Sequence, residues 1–204
     1  MPDLFQAKAS NWDASQMRQQ LSSAIGSTIV QQIPLNTQMQ VMDFGAGTGL
    51  LTASIAPQVS HVTAVDTSAA MLDQLMIKSA LNDNVSAVCQ DITDQPLETK
   101  FDLIISAMAM HHVENTDQLI ATFSSHLRPG GRIALADLDK EDGTFHPADI
   151  EGVFHHGFER GGLQTILEER GFVDVRFETA HTVDKEGKRF PIFLVTASKG
   201  VTKT

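Results

Sequence analysis

The sequence predicts an α/β protein, a three-layer sandwich in which helices cover both faces of a mostly parallel sheet. Strand-like and helix-like segments alternate along nearly the whole chain, which is typical of this class. The segment FDLIIS at 101–106 is almost continuously apolar, as expected for a central parallel strand covered on both faces. The last two strand-like segments lack a helix between them, so we expect them to pair as an antiparallel hairpin at the sheet edge.

The first half of the chain gives three strands and their helices. A helix is expected before Pro34, because apolar residues recur at helical spacing from Met17 to Ile33. QVMDF at 40–44, HVTAVD at 61–66 and VSAVCQD at 85–91 are then predicted strands. GLLTASIA at 49–56 and the apolar stripe within 68–81 are predicted helices.

The second half continues the same alternation after the strand at 101–106. A helical stripe formed by Leu119, Ile120, Phe123 and Leu127 is followed by the turn RPGG and the strand RIALAD at 132–137. A helix at 162–170 precedes the final strands at 172–180 and 189–198. No repeat or long linker interrupts the 204 residues, so we expect one domain over 1–204.

Composition excludes several functional classes. The formal net charge of −10 disfavours a surface that coats phosphates, so nucleic acid is not the expected partner. Cys89 is the only cysteine, which excludes an internal disulfide framework and suits a reducing cytoplasm. We expect it to be a small buried apolar residue. The N-terminus lacks an apolar core of signal-peptide length, and the longest apolar run, 103–110, is too short to cross a bilayer. We therefore expect a cytoplasmic protein that does not enter the membrane.

Three glycines, Gly45, Gly47 and Gly49, occupy alternate positions where the first strand passes into the first helix. Glycine permits positive φ and a close ligand approach, and the free amides there attract a carboxylate or a phosphate equally well. A dinucleotide fingerprint would need glycine at position 50, where Leu50 stands, and the lysine of a phosphate loop is absent. Asp43 would repel phosphate but would hold an ammonium group. A ligand with both a carboxylate and an ammonium group, such as an amino acid, fits both features, although any single glycine would also suit a tight turn.

Two further acids end neighbouring strands. Asp66 is placed to accept both hydroxyls of a ribose, and Asp91 to bind an adenine amino group while Ile92 packs on the ring. Ligands of open α/β sheets bind outside the carboxyl ends of the strands, where these acids fall. Helix capping is the alternative role for either acid.

With these motifs in place, the sequence resembles the class I S-adenosylmethionine-dependent methyltransferases, in particular their small-molecule branch. The matching segments are VMDFGAGTG, VTAVDTSAAML, VCQDITD, FDLIISAMAMHHV and LRPGGRIALAD, in the expected order over about 41–137. The resemblance implies a Rossmann-like, seven-stranded sheet of order 3-2-1-4-5-7-6 with the last strand antiparallel. It implies S-adenosylmethionine as cofactor, with the methionine part at the glycine loop, the ribose at Asp66 and the adenine at Asp91 and Ile92. The expected cofactor-binding residues are Trp12, Asp43, Phe44, Gly45, Ala46, Gly47, Asp66, Thr67, Met71, Asp91, Ile92, Ala107 and Met108.

Methyl transfer needs alignment of acceptor, methyl group and sulfur, so a dedicated base is optional. The N/D-P-P-Y/F string of many nucleobase and protein N-methyltransferases is replaced by residues 106–110, SAMAM, which favours a small-molecule acceptor. Two histidine pairs, His111 with His112 and His155 with His156, are the candidate bases or steering groups, with a structural role as the alternative. These pairs, with His146, Asp137 and Asp139, would also permit a metal site, but adjacent histidines are poor joint ligands, so no metal is expected.

Two segments are expected to cover the site. Residues 1–34 form an N-terminal helical cover whose Trp12 would meet the sulfonium by cation–π attraction or would anchor the first helix. Residues 138–162 form an insertion that would close over the acceptor, with a short helix within DIEGVFHHGF at 149–158. A cofactor-binding protein without transferase activity is the alternative function, while the missing third glycine disfavours a nicotinamide-dependent oxidoreductase. The oligomeric state is not predicted.

Overall fold

A computed structural model describes residues 3–78, 83–147 and 150–201. Its centre is one seven-stranded sheet with the strand order β3-β2-β1-β4-β5-β7-β6. The strands β1 to β5 pair in parallel, whereas β7 is antiparallel to both β5 and β6. The predicted fold class and strand order are confirmed. The strands are β1 Gln40–Phe44, β2 His61–Asp66, β3 Val85–Cys89, β4 Phe101–Ala107, β5 Leu127–Leu138, β6 Phe172–Lys185 and β7 Lys188–Lys199.

Within the described residues five α-helices flank the sheet, and three of them begin at side-chain caps. Ser15, Ser68 and Asn115 each accept a hydrogen bond from a backbone amide in the first turn of α1, α3 and α4, which satisfies donors that a helix start leaves unpaired. The helices are α1 Gln16–Gln32, α2 Leu50–Ile55, α3 Ala69–Met76, α4 Thr116–His126 and α5 Arg160–Glu169. Residues 79–81, the end of the predicted α3 segment, lie outside the described residues.

Two apolar cores lie on opposite faces of the sheet. Alternate residues of one strand supply both cores: Val41 packs beneath α1, α2 and α3, and Met42 packs beneath α4 and α5. Successive side chains of a strand point to opposite faces, so a central parallel strand must be apolar on both. This explains the near-continuous apolar sequence of β4 and confirms the three layers.

The edge hairpin is longer than its sequence pattern indicates. β6 and β7 pair from Phe172 with Lys199 as far as Lys185 with Lys188. Glu186 and Gly187 join them, with φ of 53° and 76°. A two-residue connection with positive φ at both positions matches the right-handed twist of the flanking strands.

Three local predictions are wrong. α4 ends at His126 with Leu127 as its C-cap, and β5 begins at Leu127 and includes the RPGG segment as an irregularity in its register with β4, so the helical stripe ends one residue earlier than predicted. Within 150–158 the chain forms turns and extended segments in place of the expected helix, because Gly152 and Gly157 have φ of 79° and 70°. Cys89, expected as a small buried residue, is exposed. None of the described helices is both long and apolar enough to cross a bilayer.

Phe193 ties the sheet edge to the segment after β5. It is fully buried, and its ring lies edge-on to Phe177 at 5.5 Å and to Phe158 at 6.4 Å. We expect Phe193→Ala to lower the free energy of unfolding by about 3–5 kcal/mol, because it removes a buried aromatic ring and leaves a cavity. Val173→Ala on the exposed side of β6 is the matched control, with an expected loss below about 1 kcal/mol. If urea unfolding gave equal losses of the free energy of unfolding for the two variants, Phe193 would not anchor this edge.

Candidate active site

The candidate site lies at the carboxyl ends of the parallel strands. Asp43 on β1, Asp66 at the end of β2, Ala107 at the end of β4 and Asp137 on β5 all reach this one edge. Their positions follow from the parallel register, since β1 pairs with both β2 and β4, and β4 pairs with β5. This edge is where open α/β sheets bind ligands.

The glycine loop between β1 and α2 has the backbone that the sequence predicts. Gly45, Gly47 and Gly49 have φ of 67°, 54° and 80°. A Cβ on Gly45 would lie 2.3 Å from the Cβ of Ala109, whereas a Cβ on Gly47 would meet nothing within 4 Å. Gly45 is therefore needed for packing against the segment after β4, while Gly47 borders open space that a ligand can fill.

Asp66 connects the glycine loop to the start of α3. Its Oδ2 accepts the amide hydrogen of Gly47 at 2.8 Å, and its Oδ1 accepts that of Ser68 at 2.9 Å. Burial raises the pKa of Asp66, and these backbone amides oppose the increase. Each carboxylate oxygen can accept more than one hydrogen bond, so Asp66 can still accept hydrogen bonds from hydroxyl groups of a ligand. The hydroxyl of Ser68 itself donates to Asp3 at 2.8 Å.

Asp43 lies behind the loop and not at its surface. It is 1% exposed, and its Oδ2 accepts the hydroxyl hydrogen of Thr52 at 2.6 Å. Burial raises its pKa to about 7, and the nearby Asp66 carboxylate adds to the increase. A direct contact of Asp43 with a ligand ammonium would require the loop to open.

The other residues predicted to bind the cofactor fall into two groups by burial. Asp91 is exposed and accepts both the amide and the hydroxyl hydrogen of Thr93, so it stabilises the turn after β3. Thr67 is also exposed, at the end of β2. In contrast, three of these residues are buried. Ile92 lies in the core beneath α4 and α5, Met71 lies in α3, and Ala46 lies within the glycine loop.

The segment after β4 has a strained backbone. Met108 has φ of 58°, which is uncommon for a residue with a side chain, and its amide donates to the carbonyl oxygen of Ala136 at 2.8 Å. Ala107 and Met108 are half-buried beside the first core, and Phe44 lies edge-on to Phe123 at 5.1 Å. Such strain persists only where the surrounding structure determines it, and it is concentrated at functional sites.

The N-terminal segment folds over the same edge of the sheet. The ring of Phe5 lies edge-on to Trp12 at 5.8 Å and to His112 at 5.4 Å. Trp12 is covered in turn by the guanidinium of Arg18, 3.8 Å from its ring centroid. Asp13 accepts the hydroxyl hydrogen of Thr48 in the glycine loop at 2.5 Å. In this arrangement Trp12 contacts protein groups on two sides.

Three histidines meet at the end of β4, and only two of them are among the candidate bases. The rings of His111 and His112 are tilted by 42° with their centroids 4.1 Å apart, and the ring centroid of His146 lies 5.0 Å from that of His111. The Nδ1 of His111 is 2.7 Å from Oδ1 of Asp137, and both side chains are buried. The Nδ1 of His112 is 2.6 Å from the carbonyl oxygen of Gly152.

The second predicted pair does not join this cluster. The Nε2 of His155 lies 3.0 Å from the carbonyl oxygen of Val113 and 3.1 Å from that of Glu114, which fixes the segment to the start of α4. His156 has an exposed side chain, and its Nδ1 lies 3.6 Å from Glu141. The arrangement gives His155 an anchoring role and places His156 at the surface. Among the described residues, no group of three or more His, Cys, Asp or Glu side chains has the geometry of a metal site.

The segment between β5 and α5 lies across the histidines. The amides of Phe154 and His155 donate to the carbonyl oxygen of His111 at 3.0 and 3.3 Å. Gly157 allows the segment to return to the sheet, since a Cβ there would lie 2.1 Å from the carbonyl oxygen of Asp139. The described part of 138–162 thus covers the end of β4.

Comparison with known proteins identifies the family. The model of the methyltransferase domain matches residues 41–131. A methyltransferase of Bacillus pumilus is 31% identical over 166 residues, which cover 72% of this chain and 75% of the relative. The chain belongs to the class I S-adenosylmethionine-dependent methyltransferases.

Other members of the family differ from this methyltransferase in length. A methyltransferase of Schizosaccharomyces pombe is 32% identical over 135 residues, or 58% of this chain, and the alignment spans only about half of that relative, 48%. The structure of Haemonchus contortus phosphoethanolamine N-methyltransferase 2, in complex with phosphomonomethylethanolamine and S-adenosylhomocysteine, matches with a TM-score of 0.71 at 17% identity. That match covers 86% of this chain and 52% of the other and shows a common fold.

Several residues of the candidate site were not predicted in these roles. Asp137 ends the predicted strand 132–137 as Asp66 ends its strand, so the sequence offered the same signal for both, but Asp137 was expected only as a possible metal ligand. His146 was likewise expected only as a possible metal ligand. Asp3 and Phe5 lie in the polar lead-in, where no periodicity or motif indicates a contact with the start of α3 or with His112.

The two glycines should respond differently to the same substitution. We expect Gly45→Ala to destabilise the fold, because its Cβ would overlap Ala109 at a positive φ. Gly47→Ala should cost only the strain of its positive φ, on the order of 1 kcal/mol, while it narrows the ligand space. Thermal unfolding without ligand and calorimetry with S-adenosylhomocysteine separate these effects. Equal unfolding temperatures for the two variants would contradict this assignment.

Asp43 should make stability depend on pH. Because its pKa is raised from 3.8 to about 7, the unfolded chain loses this proton at lower pH than the folded chain. The contribution of Asp43 to the free energy of unfolding is therefore fully present below pH 3.8 and is lost as the pH rises through about 7. We expect Asp43→Asn, which still accepts from Thr52, to gain stability relative to the parent by up to about 1.4 kcal/mol per pH unit in this window. A difference in urea unfolding that stays constant with pH would refute the shift.

Proposed function

We propose that this chain binds S-adenosylmethionine at the carboxyl edge of the sheet and transfers its methyl group to a small-molecule acceptor in the cytoplasm. The observation that carries the proposal is the hydrogen bond from the Gly47 amide to Asp66, beside open space above Gly47. It joins the loop proposed to hold the methionine part to the acid proposed to hold the ribose. A ligand that spans both would be fixed at two points by groups already connected to each other.

The charge of this edge favours a cationic ligand. The Asp66 carboxylate raises the pKa of the buried Asp43, and the Asp3 carboxylate raises the pKa of Asp66. A ligand that carries an ammonium and a sulfonium would relieve this repulsion, whereas a polyphosphate would increase it. The edge therefore suits S-adenosylmethionine better than a dinucleotide.

The acceptor would lie beside His111 and His112, which follow the strained turn after β4. The cofactor supplies a methyl group on a sulfonium, and the chain must hold the acceptor atom in line with it and exclude water. The proposed acceptor position is bordered by Phe5, by the ring of His112 and by the described part of 138–162. The relative from Haemonchus contortus holds a small acceptor with its cofactor product, and the net charge of −10 of the present chain argues against nucleic acid.

Binding and turnover are tested separately. Calorimetry with S-adenosylmethionine, S-adenosylhomocysteine and NAD should show binding of the first two only. Screening a metabolite library for release of S-adenosylhomocysteine then identifies the acceptor. Binding without release for any metabolite would favour a cofactor-binding protein without transferase activity, and preference for NAD would overturn the proposal.

Asp66→Ala should weaken cofactor binding about ten- to hundredfold, because charge-assisted hydrogen bonds to two hydroxyls contribute roughly 1.5–3 kcal/mol. The matched control is Asp73→Ala, which removes the same charge from an exposed position of α3. Far-ultraviolet circular dichroism should show that both variants fold. A dissociation constant for Asp66→Ala equal to that of the control would exclude the ribose role and leave Asp66 as a link between the loop and α3.

A further inference from the structure

A continuous chain of hydrogen-bonding groups runs from β5 into the segment that covers the site. Asp137 Oδ1 is 2.7 Å from Nδ1 of His111, and Nε2 of His111 is 3.1 Å from Nε2 of His146. The Asp137 carboxylate also accepts the amide hydrogens of His111 and Leu138, at 3.2 and 2.8 Å. The buried carboxylate is thus held by the backbone of two elements and fixes the first ring of the chain.

These contacts determine where each proton lies. A carboxylate only accepts, so His111 carries its proton on Nδ1 and its Nε2 is an acceptor. His146 must then donate from Nε2, which leaves the lone pair on its Nδ1. Within residues 3–78, 83–147 and 150–201, no group is hydrogen-bonded to this Nδ1. The chain ends in an imidazole nitrogen able to take up a proton.

His112 lies close to this chain without belonging to it. Its ring contacts that of His111 with the planes tilted by 42°, and its Nδ1 donates to the carbonyl oxygen of Gly152, since that oxygen only accepts. Among the described residues no hydrogen bond joins the two rings, so a proton taken up by His112 has no hydrogen-bonded route to Asp137. His146 has that route.

The charges around the cluster decide which ring holds an added proton. Burial lowers the pKa of both His112 and His146 to about 4, and in each case the neighbouring His111 adds to the decrease. Lys8 acts in the same direction on His112 and Lys185 on His146, while Asp137 opposes the decrease at both. Both lowered pKa values disfavour a proton that stays on His112 or His146, and of the three rings only His111 is hydrogen-bonded to the Asp137 carboxylate.

We propose that His146 is the base that takes the proton of the acceptor and that His111 and Asp137 receive it through His146. This inference rests on the proposed methyl transfer. The acceptor oxygen or sulfur forms a bond to the methyl carbon as the bond from that carbon to the sulfonium breaks, and the electron pair stays on the cofactor sulfur. The acceptor proton passes to Nδ1 of His146, and the Nε2 proton of His146 passes to Nε2 of His111. The resulting imidazolium is paired with Asp137.

The relay specifies the class of acceptor. A neutral hydroxyl or thiol must lose a proton on methylation, and it gains from a base that delivers this proton to a buried carboxylate pair. A neutral amine attacks through its free lone pair without first losing a proton, and a tertiary amine has no proton to lose at all, so amines do not need the relay. We infer that the acceptor is a small alcohol, phenol or thiol.

The covering segment completes the relay. Phe145 positions its neighbour His146, because its ring packs edge-on against Phe190 at 5.2 Å and its carbonyl oxygen accepts from Lys185 at 2.7 Å. Asp137 and His111 belong to the sheet edge, whereas His146 belongs to the segment that lies over it. The relay is thus complete only while this segment lies over the sheet edge and holds His146 against His111.

The proton positions can be tested without an acceptor. Nitrogen-15 NMR of the imidazoles in the free protein should show the Nδ1–H form for His111 and the Nε2–H form for His146. His146→Ala should alter the His111 nitrogen shifts, whereas the control His156→Ala, on the same segment but exposed, should leave them unchanged. An Nδ1–H form for His146, or His111 shifts that ignore His146→Ala, would overturn the relay even if the protein binds S-adenosylmethionine.

The kinetic test uses the acceptor that the metabolite screen identifies. With a hydroxyl or thiol acceptor, His146→Ala should lower kcat about 10²–10⁴-fold while the dissociation constant of S-adenosylmethionine stays unchanged, and His156→Ala should lower neither. The loss should shrink as the pH rises through the pKa of the acceptor, because an ionised acceptor needs no base. Unchanged kcat in His146→Ala, or a tertiary amine as the acceptor, would overturn the proposal and leave the proposed methyl transfer intact.

Discussion

The parallel register of β1, β2, β4 and β5 is the constraint on which the site depends. Parallel strands end at the same edge, so residues that are far apart in the sequence arrive together there. Asp43, Asp66 and Asp137 reach this edge from three strands, and the turn after β4 brings His111 to the third of them. The helices on both faces keep these strands apolar along their length, and polar residues are therefore concentrated where the strands end.

Each buried acid at this edge is stabilised in a different way. Asp137 accepts hydrogen bonds from two backbone amides and lies 2.7 Å from Nδ1 of His111, and such contacts offset the desolvation of a buried carboxylate. Asp66 is held by two amides and remains partly accessible. Asp43 has the hydroxyl of Thr52 and no cation within the described contacts, so its proton becomes harder to remove. One sheet edge thus contains a fixed anion, an acceptor for hydroxyl groups and an acid that titrates near neutrality.

The two covering segments meet over the histidines. Leu4 packs against Gly152, and Phe5 against His112, whose ring donates to that same glycine. The N-terminal segment also reaches the start of α3 through Asp3 and the glycine loop through Asp13. The contacts at His112 and Gly152 therefore make the positions of the two segments interdependent.

The sequence determined the architecture and indicated the cofactor, because both depend on local patterns. Apolar periodicity located nearly every strand and helix, and a glycine loop after β1 followed by acids at the ends of β2 and β3 indicated the ligand. Predictions from the sequence were wrong where an apolar pattern extends beyond the helix that produces it, as at Leu127, or where glycines with positive φ interrupt a helical pattern, as in 150–158. Only the tertiary structure decided which histidines meet: His146 reaches His111 from 35 positions away, while His155 turns to the start of α4. Such contacts depend on the path of an irregular segment over the sheet edge, and no periodicity of the sequence encodes that path.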